Sequence, residues 1–496
     1  MGENGLKLLA IGVYMVAMLI IGWYGYRRTK DLSDYMLGGR SLGPAVSALS
    51  AGAADMSGWL MMGFPGAVYG AGLSQVWIAI GLTVGAYLNW LLVAPRLRVY
   101  TEVANNSITI PSFFENRFKD STLLLRIVSS LVILVFFTFY VSSGIVAGAV
   151  FFDNTFDLSY HAGLIILTSV VLLYTLAGGF LAVSWTDFVQ GLIMLSALLL
   201  IPLIAFFHTG GVQETFATIE KIDPALLSLF GGTTAVGIVS SLAWGLGYVG
   251  QPHIIVRFMA IQSAKEVKIA RRIGIGWMIL CLLGATFTAL AGIAFYEKTG
   301  YELSNPEAVF IDLGQILFHP FIAGLVLSAV LAAIMSTISS QLIVTSSALT
   351  EDLFRLVKRN VTDKELVFLG RLSVLIVTVV AAAMAWVQSD TILALVAHAW
   401  AGFGASFGPV VFLGLFWKKM TNWGAIAGMA AGAITVLVWP NIDFQSWLDD
   451  LYEMVPGFLL NLVFIYIVSL LTYKPNEQIE SEFKESLRRL HESKGN

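Results

Sequence analysis

The chain is written as a succession of long apolar stretches separated by short polar connections, and that pattern leaves few ways to fold. A stretch of about 20 apolar residues is long enough to cross a bilayer as a helix. About thirteen such stretches of roughly 17–30 residues can be counted. They start near 6–26, 43–69, 74–92 and 121–152 and end with 423–439 and 455–471. Only 12% of the 496 residues are charged, about half the share in a soluble domain. The expectation is an all-α integral membrane protein with many spans. The formal net charge is −3 with no basic stripe, so nothing here suits a phosphate backbone. The lone cysteine, Cys281, excludes an intramolecular disulfide.

The basic residues orient the spans. All but three of the 29 Lys and Arg residues fall in one alternating set of connections, which includes Arg27, Arg28, Lys30, Arg96, Arg98, Arg257, Lys265, Arg359, Lys418 and Lys419. The other set carries only Lys7, Lys221 and Lys298. This predicts an N-terminus outside, a C-terminus in the cytoplasm and an odd number of spans. A tight turn is expected at Gly178-Gly179. The charged stretch from Lys474 reads as a short cytoplasmic helix or a solvated tail.

Two spans carry breaks. The second contains LSAGAADMSGWLMMGFPG, residues 49–66, with Asp55 at membrane depth among small residues. A charge there is costly and is kept for a function or a partner. Glycines on both sides disfavour a continuous helix. A broken helix frees carbonyls and N–H groups, which are tolerated only where they line a cavity or bind something. The alternative is a kinked structural helix with a hydrogen-bonded Asp. The seventh span contains SSLAWGLGYVGQPHIIVRF, residues 240–258, where Pro252 removes a backbone donor after Tyr248. Trp244 and Tyr248 lie four residues apart and share a face if that turn is α-helical. Two interrupted helices five segments apart point to a transporter built on inverted repeats.

In the ninth span Ala333, Ser336 and Thr337 fall on one helical face. Their oxygens, with the freed carbonyls of the second span, would form an all-oxygen cage for a hard cation. Packing hydroxyls are the alternative. Tyr140 is a candidate for solute contact, Asp187 reads as the N-cap of the sixth span, and Arg40 either gates the inner side or snorkels. No nucleotide loop, catalytic triad or metal cluster appears, so the expectation is a gradient-driven transporter rather than an enzyme, with no cofactor and no obligatory protein partner.

The stretches LGGRSLGPAVSALSAGAADMSGWL, GGFLAVSWTDFVQ, WGLGYVGQPHI, AAIMSTISSQL and AWAGFGASFGPVV resemble the sodium:solute symporter family, and the likeness runs from the first span to the last. It implies thirteen spans with a LeuT-like core of two inverted five-helix repeats, about 43–208 and 232–417, in a transporter domain of residues 1–473 followed by a tail of residues 474–496. It implies a sodium site made of backbone oxygens of Ala53, Met56 and Ala333 and the hydroxyls of Ser336 and Thr337. Asp55, Ser57 and Gly58 would belong to the same coupling stretch. Tyr140, Trp244, Tyr248 and Pro252 would contact the solute, for which L-proline is the expectation. A zwitterion with an apolar ring suits such a place: carboxylate at a half-helix N-terminus, ammonium near an aromatic face, ring on Trp244. The implied activity is sodium-coupled import across a bacterial cytoplasmic membrane. Another small solute, or a sensor that binds without moving its ligand, is the alternative.

Overall fold

In the computed structural model, residues 2–28, 32–177, 179–358 and 362–495 are described. Among them the secondary structure is helical throughout apart from one isolated bridge between Leu42 and Ile261. Ten helices are long and apolar enough to cross a membrane, and two shorter apolar ones span Tyr160–Leu176 and Ala235–Gly250. The chain is a multi-pass membrane protein. Gly178, Lys30 and Arg359 lie outside the described residues.

The helices Val267–Thr299, Pro320–Ser347 and Ile392–Phe416 bury most of their surface and surround the two interrupted segments. Glu3–Arg28, Asn422–Val438 and Met454–Thr472 instead present exposed apolar faces, including Val13, Ile20, Ile434 and Leu471. A face of that kind needs hydrocarbon around it.

The first interruption falls where the sequence places it. Pro44 opens a helix that ends at Asp55. The Met56 N–H still reaches the Gly52 carbonyl at 2.8 Å, but the Ser57 N–H turns to the Asp55 carbonyl at 3.0 Å. The chain resumes with a π turn, Trp59–Gly63, and the helix Phe64–Ala71. The second interruption is of another kind. The helix Ala235–Ala243 tightens into a 3₁₀ stretch, Trp244–Gly250. Gln251 is extended, and Pro252 starts the helix Pro252–Ala260. With three residues per turn instead of 3.6, Trp244 and Tyr248 do not share a face as an α-turn would give. The start of the first interrupted segment and the end of the second are joined, since the Leu42 N–H bonds the Ala260 carbonyl and the Gln262 N–H bonds the Leu42 carbonyl, at 3.2 and 2.9 Å.

Three expectations change. The helix expected to start at Asp187 starts at Phe180, so Asp187 lies two turns inside it and caps nothing. Arg257, counted with the loop residues, is buried within Pro252–Ala260. The third apolar helix does not stop near Leu92: after Val76–Leu88 it passes through a π turn, Asn89–Val93, into Ala94–Val103. Of the two readings of the C-terminal segment the helix holds, Glu477–Gly495, and it is docked rather than solvated. Its Glu482 pairs with Lys119 at 2.6 Å, and its Phe483 ring meets Tyr100 edge-on. Arg40, read as a gate or a snorkelling residue, does not snorkel. Its guanidinium binds the Met259 and Ser107 carbonyls at 2.8 and 2.7 Å and the Thr101 hydroxyl at 3.1 Å.

Candidate functional site

The break after Asp55 leaves the Ala53 carbonyl outside the helical ladder. Across from it runs Pro320–Ser347. The Ser336 hydroxyl donates to the Ala53 carbonyl at 2.7 Å, and the Thr337 hydroxyl reaches the same oxygen at 3.3 Å. Ser336 is also 3.1 Å from the Ala333 carbonyl. All five residues Ala53, Met56, Ala333, Ser336 and Thr337 are buried. The i, i+3, i+4 spacing thus brings its two hydroxyls onto the broken helix. Both hydroxyls rotate freely about C–O, so their lone pairs can turn toward a cation while the carbonyls stay fixed.

Gly58 explains how the helices come so close. A Cβ there would lie 2.7 Å from the Ala147 methyl and 3.3 Å from Ile334. Ser57 accepts from the Trp59 N–H at 3.4 Å, a weak bond within the turn.

Asp55 points the other way, toward the second interruption. Its carboxylate accepts a hydrogen bond from the Tyr248 hydroxyl. Its carbonyl accepts from the Trp59 indole at 3.2 Å. The aromatic residues continue from there. Trp244 stacks on Trp400 and Tyr452, with centroids 6.4 and 5.8 Å apart, and lies 6.2 Å from Trp59. Tyr248 meets the same Trp400 edge-on at 5.0 Å. Trp400 is anchored by its indole N–H on the Trp244 carbonyl, 2.8 Å. Gly247 makes room for it, since a Cβ there would lie 2.0 Å from the Trp400 ring nitrogen. Tyr140, on Leu124–Phe156, approaches from the other side and meets His253 edge-on at 5.7 Å, next to Pro252. Every residue singled out from the sequence therefore lies at one of the two interruptions or on a helix packed against them.

Four participants were not singled out, namely Trp400, Arg257, Ser50 and Ser340, and Asp187 was singled out only as a helix cap. Trp400 sits in the AWAGFGASFG stretch, and nothing in its spacing ties it to Trp244. Asp187 and Arg257 form a fully buried ion pair, 3.1 Å, with Ser50 at 2.8 Å from the Asp187 carboxylate and Ser340 at 2.6 Å from the guanidinium. This cluster joins the half-helices Pro44–Asp55 and Pro252–Ala260 to Phe180–His208 and Pro320–Ser347. The signal for it was present: two opposite charges inside apolar runs belong together.

A model of the sodium:solute symporter family matches residues 35–432. The chain belongs to that family. Among its members, the high-affinity proline transporter PutP of Bacillus subtilis is 62% identical over 469 residues, 94% of this chain and 98% of the relative. The osmoregulated proline transporter OpuE of the same organism is 55% identical, over 94% and 95%. A sodium/proline symporter of Staphylococcus aureus is 51% identical over 488 residues, 97% and 95%. Among solved structures, the substrate-bound, outward-open state of a Na+-coupled sialic acid symporter superposes with a TM-score of 0.80 at 21% identity, over 95% of this chain and 99% of that one. MhsT in complex with L-phenylalanine superposes with 0.52 at 13% identity, over 86% and 98%. These likenesses show a fold shared with transporters of the LeuT type.

Proposed function

We propose that this member of the sodium:solute symporter family is a sodium-coupled importer of L-proline, working by alternating access in a bacterial cytoplasmic membrane. The observation that carries the reading is the Ala53 carbonyl, freed by the break and met by the hydroxyls of Ser336 and Thr337. Unwound carbonyls at a discontinuous helix, completed by oxygens from a neighbouring helix, are the chemistry a monovalent cation needs. The substrate part is supported by relatives named as proline transporters at 51–62% identity over nearly the whole chain.

In this reading sodium is held by Ala53, Met56, Ala333, Ser336 and Thr337, with Asp55, Ser57 and Gly58 shaping the turn beside it. Proline lies by Tyr140, Trp244, Tyr248 and Pro252, its ring on the Trp244–Trp400 stack and its carboxylate toward the N-terminus of Pro252–Ala260. Sodium pulls the half-helix Pro44–Asp55 onto Pro320–Ser347. Through Asp55 and Tyr248 the same movement sets the second interruption, which completes the proline site. Each ligand shifts the equilibrium only by its unequal affinity for the two states.

The architecture in this reading has thirteen spans. The broken segment of residues 44–71 counts as one span and the helices that follow it as the next. Residues 43–208 and 232–417 form two inverted five-helix repeats. The N-terminus lies outside and residues 474–496 form a cytoplasmic tail. The test is uptake of labelled L-proline into proteoliposomes, with and without an inward sodium gradient, against a panel of competing solutes. Sodium-driven accumulation displaced only by proline analogues is the expected result. Sodium-driven uptake of another solute leaves the cage and removes the substrate; binding without uptake under any gradient makes the chain a sensor.

A further inference from the structure

The third apolar helix passes the second interruption on a face made of Gly81, Gly85 and Asn89, one residue every four. The glycines let the backbones touch: a Cβ at Gly85 would lie 2.2 Å from the Gly245 carbonyl oxygen. Asn89 ends that face at the start of the π turn Asn89–Val93. Turns of this kind are frequent at functional sites. The side chain is buried, and its Nδ2 donates to the Tyr248 carbonyl at 3.0 Å. That bond fixes the amide. Turned over, it would set its own oxygen against the Tyr248 oxygen, acceptor against acceptor.

The Asn89 Oδ1 therefore points away from Tyr248, and it has no hydrogen-bond partner among the described residues. The same holds for Asp55 Oδ1. Both residues line one cavity, on the side of Asp55 that leads toward the basic ends of the helices. The cavity, about 20 Å³, has room for one water-sized group. Trp90 packed on Phe258, centroids 4.4 Å apart, closes its floor. Ala48, Ala51 and Ile254 make the rest of the wall apolar. Buried acceptors without donors are costly. Two of them around one small cavity favour a donor or a cation, a water serving while no solute is there, and they repel a carboxylate.

We propose that this cavity is a second station for the ammonium group of the transported amino acid, reached on its way to the cytoplasm, with Asp55 Oδ1 and Asn89 Oδ1 as acceptors. The inference rests on the amino-acid importer reading above. The ammonium leads, the apolar ring follows along Ala51 and Ile254, and Trp90 must leave Phe258 before the solute exits. Asn89 then has two tasks in one amide. Its nitrogen positions the 3₁₀ stretch, and its oxygen receives the amine.

Two substitutions separate those tasks. Asn89→Leu removes donor and acceptor, and Asn89→Asp removes the donor and keeps the acceptor. Sodium-driven L-proline uptake is measured in proteoliposomes for both. The expected result is a fall in maximal rate of about tenfold for Asn89→Leu with KM nearly unchanged, and of no more than about threefold for Asn89→Asp. Equal losses in the two variants would leave Asn89 only its hold on Tyr248 and overturn the proposal. A shift in half-saturating sodium with the proline rate unchanged would make the cavity an ion site and overturn it as well. The unsubstituted protein gives a check independent of folding. Pyrrolidine, an amine without a carboxylate, applied at the cytoplasmic face should inhibit proline uptake, and cyclopentanecarboxylate, an acid without an amine, should not. Equal inhibition by both overturns the station. If the unsubstituted protein moves no proline at all, the importer reading itself fails, which is a separate outcome.

Discussion

The two interruptions touch each other and differ in almost every other respect. The first is a sharp break of a few residues whose backbone oxygens are left free and are met by hydroxyls. The second is seven residues of 3₁₀ helix whose backbone is covered by Trp400, Asn89 and the helix Ile392–Phe416, and which displays rings. A short break in small residues exposes carbonyls at close range, as a bare cation requires. A tightened turn among glycines carries two large rings without gaps, as an apolar ring requires. One hydrogen bond, Tyr248 to Asp55, joins them directly. A second direct link lies beside Asp187, where the Arg257 guanidinium donates to the Ser50 hydroxyl at 3.1 Å and the Ser47 hydroxyl donates to the Arg257 carbonyl at 3.2 Å.

The comparison can be broken at its joints, and the largest effect is expected at the buried pair. Arg257→Met alone strands the Asp187 charge and should destabilise the protein by about 3–5 kcal/mol, while Asp187→Asn with Arg257→Met together should recover most of that. Thermal unfolding in detergent reads both. A double variant no better than the single one means that the guanidinium's other bonds carry the stability. Next, Ser336→Ala with Thr337→Ala removes two of the proposed ligands. Half-saturating sodium should rise by about 10²-fold, roughly 2.7 kcal/mol, with proline affinity restored at high sodium. Sodium dependence of uptake that stays as it was places the cage elsewhere. Trp244→Ala should weaken proline by about tenfold or more and sodium, at saturating proline, far less. Equal losses would erase the division of labour between the interruptions. Tyr248→Phe is the mildest, since the ring against Trp400 stays. The loss of one hydrogen bond to a carboxylate, whose oxygen can turn to another donor, should cost less than about tenfold and appear as weaker coupling, read as proline uptake that depends less steeply on sodium.

Both breaks were legible in the sequence because Gly, Pro and a charge inside apolar runs are local signals. The cage was legible as a face, because Ala333, Ser336 and Thr337 obey helical spacing. That Ser336 and Thr337 meet Ala53 is a matter of how two helices pack across some 280 positions: the break and the hydroxyl face suggested the pairing, and the family resemblance supplied the particular oxygens. Asp187 was misread because Trp185-Thr186-Asp187 looks like a helix start. The helix begins at Phe180, and the charge is balanced by a residue 70 positions later. Arg257 was misread for the complementary reason: a basic residue near the end of an apolar run counts as a loop residue until its partner is known. The C-terminal helix was underread because a charged segment looks solvated from its composition, and the docking rests on Phe483 and Leu490, two buried residues on one face.

The Asp187–Arg257 pair has an electrical consequence. Pro252–Ala260 is a short segment, and a bare guanidinium carried on it would feel the membrane voltage whenever it moved. A full elementary charge crossing 100 mV exchanges about 2.3 kcal/mol with the field. Held 3.1 Å from a carboxylate, that charge is balanced. Under the transport cycle proposed above, rocking of this part of the protein would be nearly silent to the voltage, and the field's work would be left for the sodium ion.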